Sequence, residues 1–483
     1  MSITNPSENY FEEVAGQWDT LRSSYFTEEV RSAALAKAYL HPDMAVGDVG
    51  AGTGFMTAGL APLVKQVYAF DGSPAMLDVA QKNLAHFTNI TYQPADGLSL
   101  PLPDDSLDAV FANMYLHHCP DPLAAVREMV RILRPGGRLV LTDMDAHPYT
   151  WLKTEMADVW QGFERSQVRE WLHEAGLVNR IVDCTGTSCC AESHDEALID
   201  AAERQAQISI FVAVGTKPVA GVEEAVRKDY TAHASAQSTS CSCGATDEET
   251  SPCCGSGEPS SCCSSPAEEN AYTFILGYSD EERAEIPADA VEVSLGCGNP
   301  TAIAALQPGE SVLDIGSGGG IDAFLAANRV GKTGQVIGVD MTPAMIERAR
   351  RTAAKQGYTQ VEFRLGQADA LPVEDDTVDV VLSNCVINLT RDKGQVFNEA
   401  FRALKPGGRL EVSDVLSDRS LPNDLLEDPS SWAGCISGAL PEGEYVDLIQ
   451  QAGFEDIAVR RSTISGEVSG THLYSALVSA RKP

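Results

Sequence analysis

The chain has 483 residues, 43% of them hydrophobic, enough for two or three domains with ordinary cores. Its formal charge of −34 repels phosphate backbones and anionic lipid, which argues against nucleic-acid and membrane-surface binding. No apolar run of ~18 residues occurs, and the first twenty residues lack a basic region followed by an apolar one. Neither a membrane span nor a signal peptide is expected, and the cytoplasm is the expected compartment.

In chain order, FEEVAGQWDTLRSSYFTEEV at 11–30 predicts a helical segment, and VGDVGAGTG at 46–54 a first strand ending in a glycine-rich turn. LPLPDDSLDAVFAN at 100–113 ends in a further apolar strand, and LRPGGRL at 133–139 is the turn before the next. His117 and His118, in YLHHCPDP, occupy the loop after the fourth strand, as a base, an acceptor ligand or simple capping and packing residues. Asp143 and Asp145 follow in LTDMDAH. WLHEAGL at 171–177 and QISIFVAVGTKP at 207–218 read as a final helix and terminal strands. Between them, in a loop at the hairpin end, Cys184, Cys189 and Cys190 offer a second thiol cluster.

Residues 217–270 form a polar linker, and CSCGATDEETSPCCGSGEPSSCC at 241–263 places six cysteines in it. Without an export signal these thiols should be mostly reduced, so the pairs Cys253-Cys254 and Cys262-Cys263 read as soft-metal ligands or redox thiols rather than structural disulfides.

The second half repeats the first at an offset of about 270 residues. VLDIGSGGG at 312–320 answers the first glycine turn, LPVEDDTVDVVLSN at 371–384 the fourth-strand segment, and LKPGGRL at 404–410 the later turn. Apolar runs alternate with amphipathic segments in each copy, which predicts βαβ units on a parallel sheet. The fold expected is therefore α/β: tandem Rossmann-like domains over 1–216 and 271–483, joined by a cysteine-rich flexible linker.

A glycine turn after strand one lets a ligand approach the backbone, and an acidic residue ending strand two accepts ribose hydroxyls. The second copy supplies Asp314, Gly316, Gly318, Gly320 and, 26 residues past Asp314, Asp340; the first supplies Asp48, Gly50, Gly52, Gly54 and Asp71. The spacing is not the GxGxxG of a pyrophosphate loop. A third acidic residue, Asp369 in GQADALP and Asp96 in QPADGLS, is placed to meet an exocyclic amine of adenine. With this order of features, both halves resemble class I S-adenosylmethionine (SAM) dependent methyltransferases. The resemblance implies SAM as cofactor, with Met341, Asn384 and Asn113 also beside it, and a capping role for the N-terminal helical segment.

Three more cysteines of the second half lie in distinctive settings: Cys297 in VSLGCGNP, Cys385 in LSNCVINL and Cys435 in SWAGCISGAL. Cys385 follows Asn384 at the end of strand four, where the first copy has Met114, so the fold does not itself require a thiol there. Three sulfurs on separate segments suit a soft trivalent centre. LGYS, LGCGNP, SNCVINL and AGC-x-x-GAL, at 276–279, 295–300, 383–389 and 433–440, closely resemble bacterial arsenite methyltransferases from about Val222 onward.

That resemblance implies As(III) ligation and catalysis by Cys297, Cys385 and Cys435, with a further thiol from a segment ahead of LGCGNP, Cys262 or Cys263. It implies arsenite or its thiol conjugates as substrate, arsenic detoxification as role, and thioredoxin or glutathione as reductant. Two other readings stand beside it: a thiol-based metalloid sensor or buffer, and a SAM methyltransferase with another small-molecule acceptor. The first domain's acceptor is not legible.

Overall fold

A computed structural model describes residues 6–193, 204–236, 278–291, 296, 298–432 and 434–483. Two seven-stranded sheets of the same topology follow one another along the chain. The first comprises β1 (Ala45–Val49), β2 (Gln66–Asp71), β3 (Ile90–Pro94), β4 (Leu107–Asn113), β5 (Leu133–Met144), β6 (Val178–Glu192) and β7 (Gln205–Thr216), in the order β3-β2-β1-β4-β5-β7-β6. The second comprises β8 (Ser311–Ile315), β9 (Gln335–Asp340), β10 (Val361–Leu365), β11 (Val378–Asn384), β12 (Leu404–Ser417), β13 (Glu455–Val468) and β14 (Thr471–Arg481), in the order β10-β9-β8-β11-β12-β14-β13. The first five strands of each sheet run parallel, and the last two form an antiparallel hairpin on its edge.

The central strands read as continuous apolar runs because helices cover both faces of a parallel sheet. All seven residues of β4 are buried accordingly. Helices open where a side chain accepts an otherwise orphaned N–H: Ser73 from Met76 at 3.2 Å, Asp121 from Ala124 at 3.0 Å and Asp392 from Gln395 at 3.1 Å. The repeat reaches even its closing contacts, since Lys217 and Lys482 end equivalent strands and bond Asp105 and Asp376 at 2.7 and 2.6 Å.

The two domains share a continuous apolar cluster, in which Met44, Val46 and Ile181 of the first join Tyr445, Leu448 and Ile449 of the second. A polar seam borders it. Arg138 of β5 donates to Glu444, both buried, while Lys37 meets Asp447 at 2.5 Å and the Lys393 amide donates to Asn179 at 2.9 Å. The guanidinium of Arg138 also lies 5.4 Å from the Tyr39 ring.

Two expectations need adjustment. Residues 217–270 do not begin as a polar linker: Val222–Ala236 is a helix, and Val222 and Val226 are buried with Leu389 and Trp432 of the second domain. The remainder of that span, including Cys262 and Cys263, lies outside the described residues, as does Cys297. Cys184, Cys189 and Cys190 lie on strand β6 rather than in a loop, and they do not converge. Successive strand residues face opposite ways, so Cys189 is buried while Cys184 and Cys190 are exposed.

Candidate active sites

Each sheet carries a cleft at the carboxyl ends of β1, β2 and β4 or their counterparts, where the strand order reverses. The second cleft, about 1060 Å³, is lined by Gly316, Gly318, Asp340, Met341, Asp369 and Asn384, among others. Its glycine turn is stereochemically fixed. Gly316 has φ of +72°, and a Cβ there would stand 2.2 Å from Val386, so no other residue fits without displacing that side chain. Asp340 closes the turn by accepting from Gly318 N at 3.0 Å and Thr342 N at 2.8 Å.

The first cleft, about 1240 Å³, repeats this arrangement with Gly50, Gly52, Asp71, Asp96 and Asn113 on its walls. Asp71 accepts from Gly52 N at 2.7 Å and Ser73 N at 2.9 Å, and Asp96 accepts from Leu98 N at 3.0 Å and Ser99 N at 3.1 Å. Gly54 and Gly320, both at positive φ, cap the helices that leave the two turns. Phe11, Trp18 and Arg22 of the N-terminal helices cover this cleft. They are anchored there by bonds from Ser73 to Glu12 at 2.8 Å and from Thr53 to Asp19 at 2.6 Å.

Asp48 and Asp314 each keep one buried carboxylate oxygen without a hydrogen-bond partner, at the head of the first strand of each domain. Burial is the main reason both titrate high: Asp48 is pushed up to about 7 against donation from Thr57, and Asp314 is raised further by Asp322 and Asp340. These orphaned acceptors, with glycine backbones open beside them, fit a ligand bearing N–H and O–H donors.

The raised Asp48 value has a measurable consequence. An unfolded aspartate ionises near 3.8, so between that value and about 7 the folded chain binds more protons than the unfolded one. Stability therefore falls as pH rises through this window. Asp48→Asn should flatten that fall in the ligand-free protein, by up to about 4 kcal/mol across the window at ~1.4 kcal/mol per pH unit. Thermal denaturation at stepped pH checks it, and parallel curves for variant and wild type would refute the assignment.

Around the second cleft the sequence reading missed four side chains. Tyr278 donates to Asp322 at 2.9 Å, and Asn384 Nδ2 donates to Asp322 at 3.1 Å, Tyr278 at 2.9 Å and Gly298 O at 2.8 Å. Tyr278 stood within the LGYS motif, but Asp322 has Met56 as its counterpart in the first copy, so the repeat gave no signal for it. Glu223 and Tyr230, from the helix Val222–Ala236, complete the roof, with Arg391 donating to Glu223 at 2.6 Å. Burial pushes the Tyr230 phenol well above its ordinary value, and the nearby Cys435 and Cys385 push it further.

Cys385 and Cys435 are brought together. Cys435 Sγ donates to the Cys385 carbonyl at 3.2 Å, and both are buried among Val226, Leu389 and Trp432, with Met341 and Tyr230 against them. Both have left-handed backbones, φ 61° and 60°. Met114, the counterpart of Cys385, has φ 51°, so that conformation belongs to the fold, whereas the thiol is particular to the second domain. Cys297 lies outside the described residues; of its neighbours, Gly298 O accepts from Asn384 Nδ2, and a Cβ on Gly296 would lie 2.5 Å from that same nitrogen.

A methyltransferase domain model matches residues 306–453, and a second methyltransferase domain model matches residues 47–141. Each half of the chain carries a methyltransferase domain. An arsenite methyltransferase of Halobacterium salinarum is 45% identical over 246 residues, which is 48% of this chain and 62% of the relative. One of Aquipseudomonas alcaligenes is 38% identical over 196 residues, 38% of this chain and 56% of the relative. The chain thus spans little more than half the length of these curated relatives. Among solved structures, an arsenic(III) S-adenosylmethionine methyltransferase from Chlamydomonas reinhardtii is similar at 36% identity, covering 42% of this chain and 74% of its own, with a TM-score of 0.38. Among the described residues of the tandem methyltransferase domains, no helix is long and apolar enough to cross a membrane.

Proposed function

We propose that the second methyltransferase domain methylates trivalent arsenic held by its own cysteine thiolates, with SAM as methyl donor and arsenic detoxification as the outcome. The observation that carries this reading is the meeting of Cys385 and Cys435 in a buried cluster with Val226, Leu389, Met341 and Tyr230, four residues that also line the SAM-type cleft. The arsenite methyltransferase relatives support it. Asp340 and Asp369 would hold the ribose and adenine of SAM, the turn from Gly316 to Gly320 its backbone-facing side, and Asp314 its ammonium group. When bound, SAM supplies an electrophilic methyl group on a sulfonium.

Cys385 and Cys435 orient the arsenic, with Cys297 or one of Cys262 and Cys263 as third thiol. The arsenic lone pair would take up the methyl group that SAM supplies, the As–C bond forming as the S–C bond breaks, and S-adenosylhomocysteine would leave. No general base is needed, because the nucleophile has no proton to lose. The buried cluster of Leu389, Trp432 and Val226 excludes water from the exchange. Methylation raises the formal oxidation state of arsenic by two, and two neighbouring thiols return those electrons by closing a disulfide that thioredoxin or glutathione reopens. A metalloid buffer would have no use for a cleft of this shape beside its thiols.

The first domain would hold SAM through Asp48, Asp71 and Asp96 for a separate acceptor. The two sites are separable in the intact chain given arsenite, labelled SAM and a thiol reductant. Asp340→Ala should reduce labelled methylarsenicals at least tenfold, one ribose contact to a charged acceptor being worth about 1.5–3 kcal/mol, while Asp71→Ala leaves them within about twofold. Equal losses in both variants would count against placing the arsenic chemistry in the second domain.

A further inference from the structure

We propose that the first domain holds a divalent first-row metal ion of the Zn²⁺ class between His117, His118 and Asp158, at the wall of its acceptor pocket. This goes beyond the arsenic chemistry of the other domain and uses none of its residues. One ligand atom from each of the three side chains lies within 4.8 Å of the others. Asp158 Oδ1 stands 3.8 Å from His117 Nε2 and 3.8 Å from His118 Nδ1. Those gaps are too long for hydrogen bonds and leave room for an ion among the three groups.

Two further observations point to a ligand. Asp158 is only 6% exposed, yet its Oδ2 has no hydrogen-bond partner. A buried carboxylate oxygen is costly in that condition, and a cation relieves it. His117 is meanwhile aimed from behind: its Nδ1 is bonded to Asp143 Oδ1 at 2.6 Å, which turns Nε2 toward Asp158. A carboxylate behind the far nitrogen is the usual support of a metal-bound imidazole. The loop bearing Asp158 is pinned to the same turn, because Val159 N and Trp160 N both donate to the His117 carbonyl, at 2.9 and 3.0 Å.

The donor set favours zinc and its neighbours over calcium or magnesium, since two imidazoles and one carboxylate are borderline ligands. Three protein ligands leave a coordination position open, as in catalytic rather than structural zinc sites. The three ligands line a cavity of about 390 Å³ together with Met114, Met144, Met156 and Cys189. His118 and Met114 also line the larger cleft, so the ion stands between acceptor pocket and methyl donor. An acceptor bound to the ion through a hydroxyl or thiol would release its proton to solvent. The resulting oxygen or sulfur anion then attacks the donor methyl as the S–C bond breaks, and S-adenosylhomocysteine leaves.

The test is a cobalt(II) titration of the metal-stripped, reduced full-length protein. Cobalt on thiolates shows an intense near-ultraviolet charge-transfer band, whereas cobalt on imidazole and carboxylate shows visible ligand-field bands without it. The expected result is one equivalent of cobalt of the second kind, lost in Asp158→Asn and in His118→Gln. Asp143→Asn, a positioning change, should weaken it about 10–100-fold without abolishing it. The unfolding midpoint of each variant shows whether the domain is intact, and if Asp158→Asn fails to fold, His118→Gln carries the test. A wild-type titration showing thiolate cobalt alone overturns the proposal. Visible bands that survive both substitutions overturn it equally. Arsenite methylation plays no part in the readout, so this result and the arsenic assignment stand or fall separately.

Discussion

Replacing Cys385 with serine is expected to abolish arsenite methylation, by at least about a hundredfold, while SAM still binds. The magnitude has a lower bound, because even substitutions behind a metal ligand cost 10–100-fold in affinity, and a hydroxyl is a poor ligand for a soft trivalent centre. Cys435→Ser should match it, and the double variant should be little worse than either, since residues that act as a unit are not additive. Both side chains are buried in one cluster, and serine is nearly isosteric with cysteine, so loss of fold is not the expected route. Calorimetry with SAM separates the two steps: preserved heat of binding with lost transfer is the expected pattern. Full transfer by either single variant would remove the arsenic-thiolate model.

The second large effect lies at the domain seam. Glu444→Ala leaves the Arg138 guanidinium buried without its carboxylate, and such uncompensated charges cost about 3–5 kcal/mol. Tyr39, stacked near Arg138, and Lys37, whose carbonyl accepts from it at 3.2 Å, cannot replace the lost charge. The expected result is a transition at clearly lower urea concentration, with the domains separating first. The paired change Arg138→Met with Glu444→Leu should recover most of the loss, because well-packed apolar residues often equal a buried ion pair. A Glu444→Ala protein within about 0.5 kcal/mol of wild type would show that the seam is held by its apolar cluster alone.

The tandem sheets were legible because their punctuation is local: a glycine turn, an acidic strand end and a Pro-Gly-Gly turn recur in order, and all three survive in both copies. Asp48, Asp71 and Asp96 were found by the same reasoning as Asp314, Asp340 and Asp369. Asp322 was not, because nothing in its short-range context separates it from an ordinary helix residue; only the packing of Tyr278 and Asn384 against it marks it out. Val222, Val226 and Tyr230 stand at i, i+4 and i+8, a helical apolar stripe, but the polar composition around them hid that signal. The cysteines of β6 misled for the converse reason. Closeness in sequence suggested a cluster, while the pleat sends neighbours to opposite faces. His117 and Asp158 are 41 positions apart, and no pattern within either segment anticipates their meeting.

The helix Val222–Ala236 fixes where the second domain begins as a working unit. It starts six residues after β7 ends at Thr216, and Lys217 in that short bridge is held by the carbonyls of Val130 and Leu133 at 2.9 and 2.7 Å. A shortened protein starting at residue 237 would keep every strand of the second sheet and still lose one wall of its cleft.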